Sequence, residues 1–80
     1  MKAYAVSIKG ETEVSYFAAE TCGQAKSVLH SILVDLGFRR LQYTDMTAKR
    51  AFEFDDIASK SGRPRSIHKE VMERKEADNE

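Results

Sequence analysis

The sequence of 80 residues predicts an α+β fold, in which a small antiparallel sheet in ββαβ order carries one main helix and a short C-terminal helical tail. Three observations predict this class. Two neighbouring segments alternate in polarity, which is the period of a strand. A segment with helical periodicity and marked ends follows them. A third run is rich in strand-forming residues, and the three strands together offer an apolar face for the helix to cover.

The first two strands form a predicted β-hairpin. Residues 2–8 alternate, and residues 13–18 alternate again after a short turn, so the two segments suit antiparallel pairing. The core face of the first strand contains Tyr4, Val6 and Ile8.

The opposite face of the predicted sheet combines small residues with an aromatic one. We expect Ser15 and Phe17 of the second strand to lie there, beside the small residues of the first strand. Such a face suits partial burial. Two alternatives remain for what packs against it, which are Phe52 with Phe54, or a second copy of the protein.

The main helix is predicted over residues 21–37. Thr21 and Gln24 fit a capping box, and Gly37 stands where a left-handed residue ends a helix. The apolar residues recur at helical spacing and form one stripe, which consists of Ala25, Val28, Leu29, Ile32, Leu33 and Leu36.

Residues 38–46 are predicted to form the third strand, with Leu41 and Tyr43 on one face. The alternation at residues 52–54 is compatible with a fourth, edge strand but is too short to decide. We therefore divide the single domain into a ββαβ core at residues 1–54 and a charged helical tail at residues 55–80.

Two short helices are predicted in the tail. Asp55 is a candidate cap for the first helix, Pro64 interrupts the chain, and Ser66 is a candidate cap for the second. Ile67 and Val71 are the apolar ridge of that last helix. Because so small a ridge is marginal in water, we expect the helix to dock lightly or to order when a partner binds.

Composition excludes several classes of protein. One cysteine permits no internal disulfide, and no apolar run reaches the length of a bilayer-spanning helix, so we expect a cytoplasmic protein. Cys22 has no histidine or lysine placed to activate it, and the two histidines are far apart. We expect no enzymatic activity, no metal site and no cofactor.

The thirteen basic and thirteen acidic residues balance, but the basic ones cluster. Each cluster is either ordinary solvated surface, with charge that protects an edge strand, or a contact surface for nucleic acid or an acidic partner. The candidate binding residues fall in two groups, Arg39, Arg40, Lys49 and Arg50 in the first, and Lys60, Arg63, Arg65 and Lys69 in the second.

Within the second group, Gly62, Arg63 and Pro64 resemble the core of an AT-hook. In that family an extended Arg-Pro segment enters the minor groove of A·T-rich DNA, where the narrow groove attracts arginine. This sequence has Ser61 where the family has arginine before the glycine. The resemblance implies a small DNA-binding accessory protein that uses residues 60–69.

A second resemblance involves the N-terminal MKAYAV and the start of the main helix, with Ala19, Glu20, Thr21, Gln24, Ala25 and Lys26. These residues resemble small ββαβ proteins of phages and prophages, including some anti-CRISPR proteins. The resemblance implies a protein that inhibits a host defence nucleoprotein complex in the host cytoplasm, by blocking its nucleic-acid binding or its assembly. A structural homodimer is the remaining alternative.

Overall fold

A computed structural model describes residues 1–37 and 45–78 of the chain. In these ranges one antiparallel sheet has the strand order β3-β1-β2-β4. Its strands are β1 (Lys2–Ile8), β2 (Val14–Ala19), β3 (Met46–Arg50) and β4 (Arg65–Ser66). The helices are α1 (Cys22–Asp35), α2 (Asp55–Ser59) and α3 (His68–Asp78), and a 3-10 helix covers Phe52–Phe54. The predicted α+β class is therefore confirmed.

The hairpin of β1 and β2 is present, but one expected face of β2 is wrong. Tyr4 pairs with Phe17, and Ala5 pairs with Tyr16. Because directly paired residues project to the same side of a sheet, Phe17 and Ser15 lie on the face of Tyr4 and not on the opposite one. The turn sets this register, since the Glu11 N–H donates to the Ile8 carbonyl at 2.9 Å.

One face of the sheet packs against α1, as predicted. Thr21 caps the helix, because its Oγ1 accepts the Gln24 N–H at 3.1 Å, and Gln24 Oε1 in turn accepts the Glu20 N–H at 2.7 Å. Gly37 ends the helical turn with a positive φ of 99°, as expected of glycine there. Of the predicted stripe, the buried members are Ala25 and Leu29, the packed members are Val28 and Leu33, and the exposed members are Ile32 and Leu36.

The opposite face is covered by the chain's own α2 and α3. Ile67 and Val71 have no exposed surface, and they pack with Ala3 and Ala18 of the central strands. The last helix is therefore part of the core and does not dock lightly. Within residues 1–37 and 45–78, it occupies the small-residue face at Ala3 and Ala18, where a second copy was the alternative cover.

The other predictions concern the segment between α1 and α2. Most of the predicted third strand lies outside the described residues, and the described β3 begins at Met46. Residues 52–54 form a 3-10 helix and not a fourth strand. Phe54 is buried, as one of the two alternatives had it, but Phe52 is exposed. Asp55 begins α2 without capping it, because its Oδ1 accepts the Ala3 N–H of the sheet at 2.8 Å.

The packing of α3 predicts a clear difference between two valines in helices. Val71→Ala should lower the free energy of unfolding by about 2 kcal/mol, because two buried methyl groups are lost. The same change at Val34, which is 37% exposed, should alter it by less than about 0.5 kcal/mol. Urea unfolding followed by circular dichroism measures both, and equal effects would contradict the packing of α3.

Candidate functional site

The strand order separates described members of the two predicted basic groups. Lys49 and Arg50 lie on β3 at one edge of the sheet, whereas Arg65 lies on β4 at the other. Three strand spacings set these edges about 14 Å apart. Arg39 and Arg40 lie outside the described residues. Among the described residues, the members of the two groups that lie on strands are therefore at opposite edges of the sheet.

The Arg50 side chain contacts other residues of the same chain. Its guanidinium forms an ion pair with Asp55, lies 4.3 Å from the Phe52 ring centroid and faces the Tyr4 ring at 5.6 Å. Asp55 also holds β1 through the Ala3 N–H. This arrangement ties β3 to the start of α2, so the structure assigns Arg50 to the scaffold. Sequence analysis missed that role, because the short spacing to Asp55 did not reveal the aromatic contacts.

The hydroxyl of Tyr4 is held near the start of α1. Burial raises the pKa of Tyr4 above its usual value, and the neighbouring Cys22 thiol raises it further. The neutral hydroxyl donates to the Glu20 carbonyl at 3.4 Å, and Cys22 itself is exposed. Tyr4 therefore serves to join the sheet to the beginning of the helix.

Arg65 also binds within its own chain. Its Nε donates to Ser61 Oγ at 3.0 Å, and its Nη1 contacts Glu70 Oε1 at 3.1 Å. A hydrogen bond from its own backbone N–H lowers the pKa of Glu70, and the Arg65 guanidinium lowers it further. Ser61 is buried, so this network anchors the loop between α2 and α3. An arginine held in this way is not presented to DNA as in an AT-hook.

The other basic residues of the second group face solvent. Lys60, Arg63 and Lys69 are exposed, and none of the three forms an ion pair within residues 1–37 and 45–78. We call these three side chains the basic face. Lys49 is exposed as well, but it belongs to the distant edge at β3.

A third arginine, Arg74, joins α3 to α2. Its two terminal nitrogens contact the two carboxylate oxygens of Asp56 at 2.7 and 2.6 Å. The hydrogen bonds from Arg74 lower the pKa of Asp56 from 3.8 to about 2. This pair holds the C-terminal helix against α2. The sequence predicted only capping or solvation for Asp56, and it did not indicate Arg74 as its partner.

Neither a metal centre nor a membrane span is found in the described ranges. No group of three or more histidine, cysteine, aspartate or glutamate side chains there could hold a metal ion. No helix in the same ranges is long and apolar enough to cross a bilayer.

No protein-family model, curated protein or solved structure matches this chain. The candidate site is therefore inferred from the geometry of its own residues.

The Arg74–Asp56 pair predicts a pH dependence. Arg74→Met should raise the pKa of Asp56 from about 2 toward 3.8, because the two donors are lost. The folded-state pKa is depressed, so the pair contributes stability above pH 3.8 that is lost as the pH falls through 2. An NMR titration of the carboxyl carbon measures this pKa.

Arg63→Met is the matched control, since Arg63 is an exposed arginine elsewhere on the chain. It should leave the titration of Asp56 unchanged. An Asp56 that titrates near 3.8 in the unsubstituted protein would show that the pair does not form in solution.

Proposed function

We propose that this protein is a non-enzymatic binding protein that inhibits a host defence nucleoprotein complex, as anti-CRISPR proteins do. It acts by placing the basic face, Lys60, Arg63 and Lys69, against an acidic surface or the bound nucleic acid of that complex. The observation that carries the proposal is the exposure of these three cations, of which Lys60 and Arg63 lie on the anchored loop and Lys69 lies in the first turn of α3.

The anchoring supports tight binding. Arg65 ties the loop to Ser61 and to Glu70, and Ile67 fixes the end of the loop in the core. A loop already held in position loses less conformational freedom when a partner binds it, so more of the contact energy appears as affinity. Exposed cations also accelerate encounter with an acidic partner.

The charge of the basic face favours certain surfaces of such a complex. A channel that binds nucleic acid is itself basic and would repel Lys60 and Lys69. An acidic subunit surface or a bound guide or target strand would attract them. The proposal therefore favours obstruction at the rim of a nucleic-acid channel, or interference with subunit assembly, over filling the empty channel.

Direct recognition of free DNA is the weaker alternative. A hook-like mode needs arginines that reach the floor of the groove. The Arg65 side chain is bound to Ser61 and Glu70. The family pattern has an arginine before the glycine, and in this chain that position is Ser61. Arg63 alone remains exposed for that role.

Charge reversal tests the basic face. Lys60→Glu combined with Lys69→Glu should weaken co-elution with a purified CRISPR surveillance complex by about tenfold or more, because two attractive contacts become repulsive. Lys2→Glu combined with Lys9→Glu is the matched control, since it makes the same change of charge at exposed lysines elsewhere. Size-exclusion chromatography and biolayer interferometry measure the binding.

Two results would overturn the proposal. The first is an unsubstituted protein that fails to bind complexes of several subtypes. The second is an equal affinity for the two double variants. Fluorescence anisotropy with a labelled A·T-rich duplex at two salt concentrations distinguishes the alternative, because direct DNA binding must weaken steeply as salt rises.

A further inference from the structure

An open cleft lies between β2 and α3, and none of the three side chains of the basic face lines it. Its volume is about 390 Å³. Val14 and Met72 supply apolar walls, and the polar lining comes from Glu13, Tyr16, His68 and Lys75. The proposed function does not use any of these residues.

Hydrogen-bond donors meet at one part of this cleft. Lys75 Nζ donates to the Tyr16 hydroxyl at 2.9 Å and lies 4.9 Å from the centre of its ring. Having accepted this bond, the hydroxyl still has its own hydrogen to donate, and the ammonium group keeps two more N–H groups. A carboxylate is the group that can accept from both at once.

His68 adds an unsatisfied atom beside the same tyrosine. Its ring stacks on the Tyr16 ring, with 5.9 Å between the centroids and 22° between the planes. The His68 Nδ1 atom is buried and makes no hydrogen bond within the described residues. His68 therefore contributes its ring to the wall of the cleft, while its buried Nδ1 atom is not accessible to a ligand there.

The backbone beside the cleft offers a strand edge. β4 pairs only with Phe17 and Ala18 of β2, and the next residue, Ile67, donates its N–H to the Tyr16 carbonyl at 2.9 Å. Backbone groups alternate in direction along a strand, so those of Val14 point to the same side as those of Tyr16. In the part of the chain that the structure describes, no strand pairs with Val14 on that side.

We propose that this cleft binds an extended peptide segment of a partner protein, and that this segment carries one acidic residue. The segment adds a short strand beside Val14, places a carboxylate at Lys75 and Tyr16, and lays an apolar side chain against Met72. Backbone pairing supplies affinity in this mode, and pockets for alternate side chains supply specificity. Because Glu13 also lines the cleft, the segment carries a single acidic residue with neutral or basic neighbours and not an acidic run.

A synthetic peptide of about eight residues, the length of a typical strand, is the probe. It alternates threonine and valine, carries one central glutamate and a fluorescein label, and is made in versions that shift the glutamate along the chain. At least one version should bind the full-length protein in fluorescence anisotropy. In ¹⁵N-labelled protein the amide signals of Val14 and Ser15 should shift on binding.

Lys75→Gln should weaken this binding by about tenfold, and so should a glutamine in place of the peptide's glutamate, because each removes a charge-assisted hydrogen bond. Lys2→Gln, at an exposed lysine outside the cleft, should leave the affinity unchanged. Val14→Pro removes the outward N–H at the first residue of the strand, where proline is tolerated, and should also weaken binding. Circular dichroism checks that each variant is folded.

The inference is overturned if no version of the peptide binds, if Lys75→Gln binds as well as the unsubstituted protein, or if the shifted amides lie away from β2 and α3. A labelled single-stranded oligonucleotide that displaces the peptide would assign the cleft to nucleic acid instead. The double variant Lys60→Glu, Lys69→Glu should bind the peptide normally. Loss of peptide binding and loss of the proposed inhibition are therefore separable results.

Discussion

Ala3 and Ala18 pair on the central strands and have no exposed surface, while Val6 and Phe17 are equally buried on the other face. A hairpin that is apolar on both faces must be covered on both, and α1 can cover only one of them. The small alanine side chains let α2 approach the sheet closely, and Ala58 of that helix is likewise fully buried. The segment after residue 54 is therefore as necessary to the core as the hairpin and α1.

The parts of the fold that depend on local chemistry could be predicted. The limits of α1 follow from Thr21, Gln24 and Gly37, because caps act within a few residues. The face of Phe17 could not be read from alternation alone, since the register depends on a turn hydrogen bond and one step of slip exchanges the faces. The burial of α3 could not be predicted, because Ile67 and Val71 are two apolar residues among many charged ones. How much they stabilise the helix depends on the sheet face against which they pack.

The charged residues of the candidate site were also only partly predictable from local sequence. Arg50, Arg65 and Arg74 all have acidic partners, and each pair fixes a helix or loop to a neighbouring element. A planar guanidinium with several donors suits such bracing better than a lysine ammonium does. The sequence identified the basic clusters but could not tell bracing arginines from exposed cations. Only the tertiary contacts reduce the second group to the three side chains of the basic face.

The shortness of β4 links the two proposed surfaces. β4 pairs with β2 only at Phe17 and Ala18, after which the chain turns into α3. A longer fourth strand would cover the edge at Val14 and remove the cleft. The same turn into α3 brings Glu70 to Arg65, which anchors the loop that carries Lys60 and Arg63, and it places Lys69 in the first turn of the helix. Both surfaces therefore depend on where α3 begins, and the burial of Ile67 fixes that point in the core.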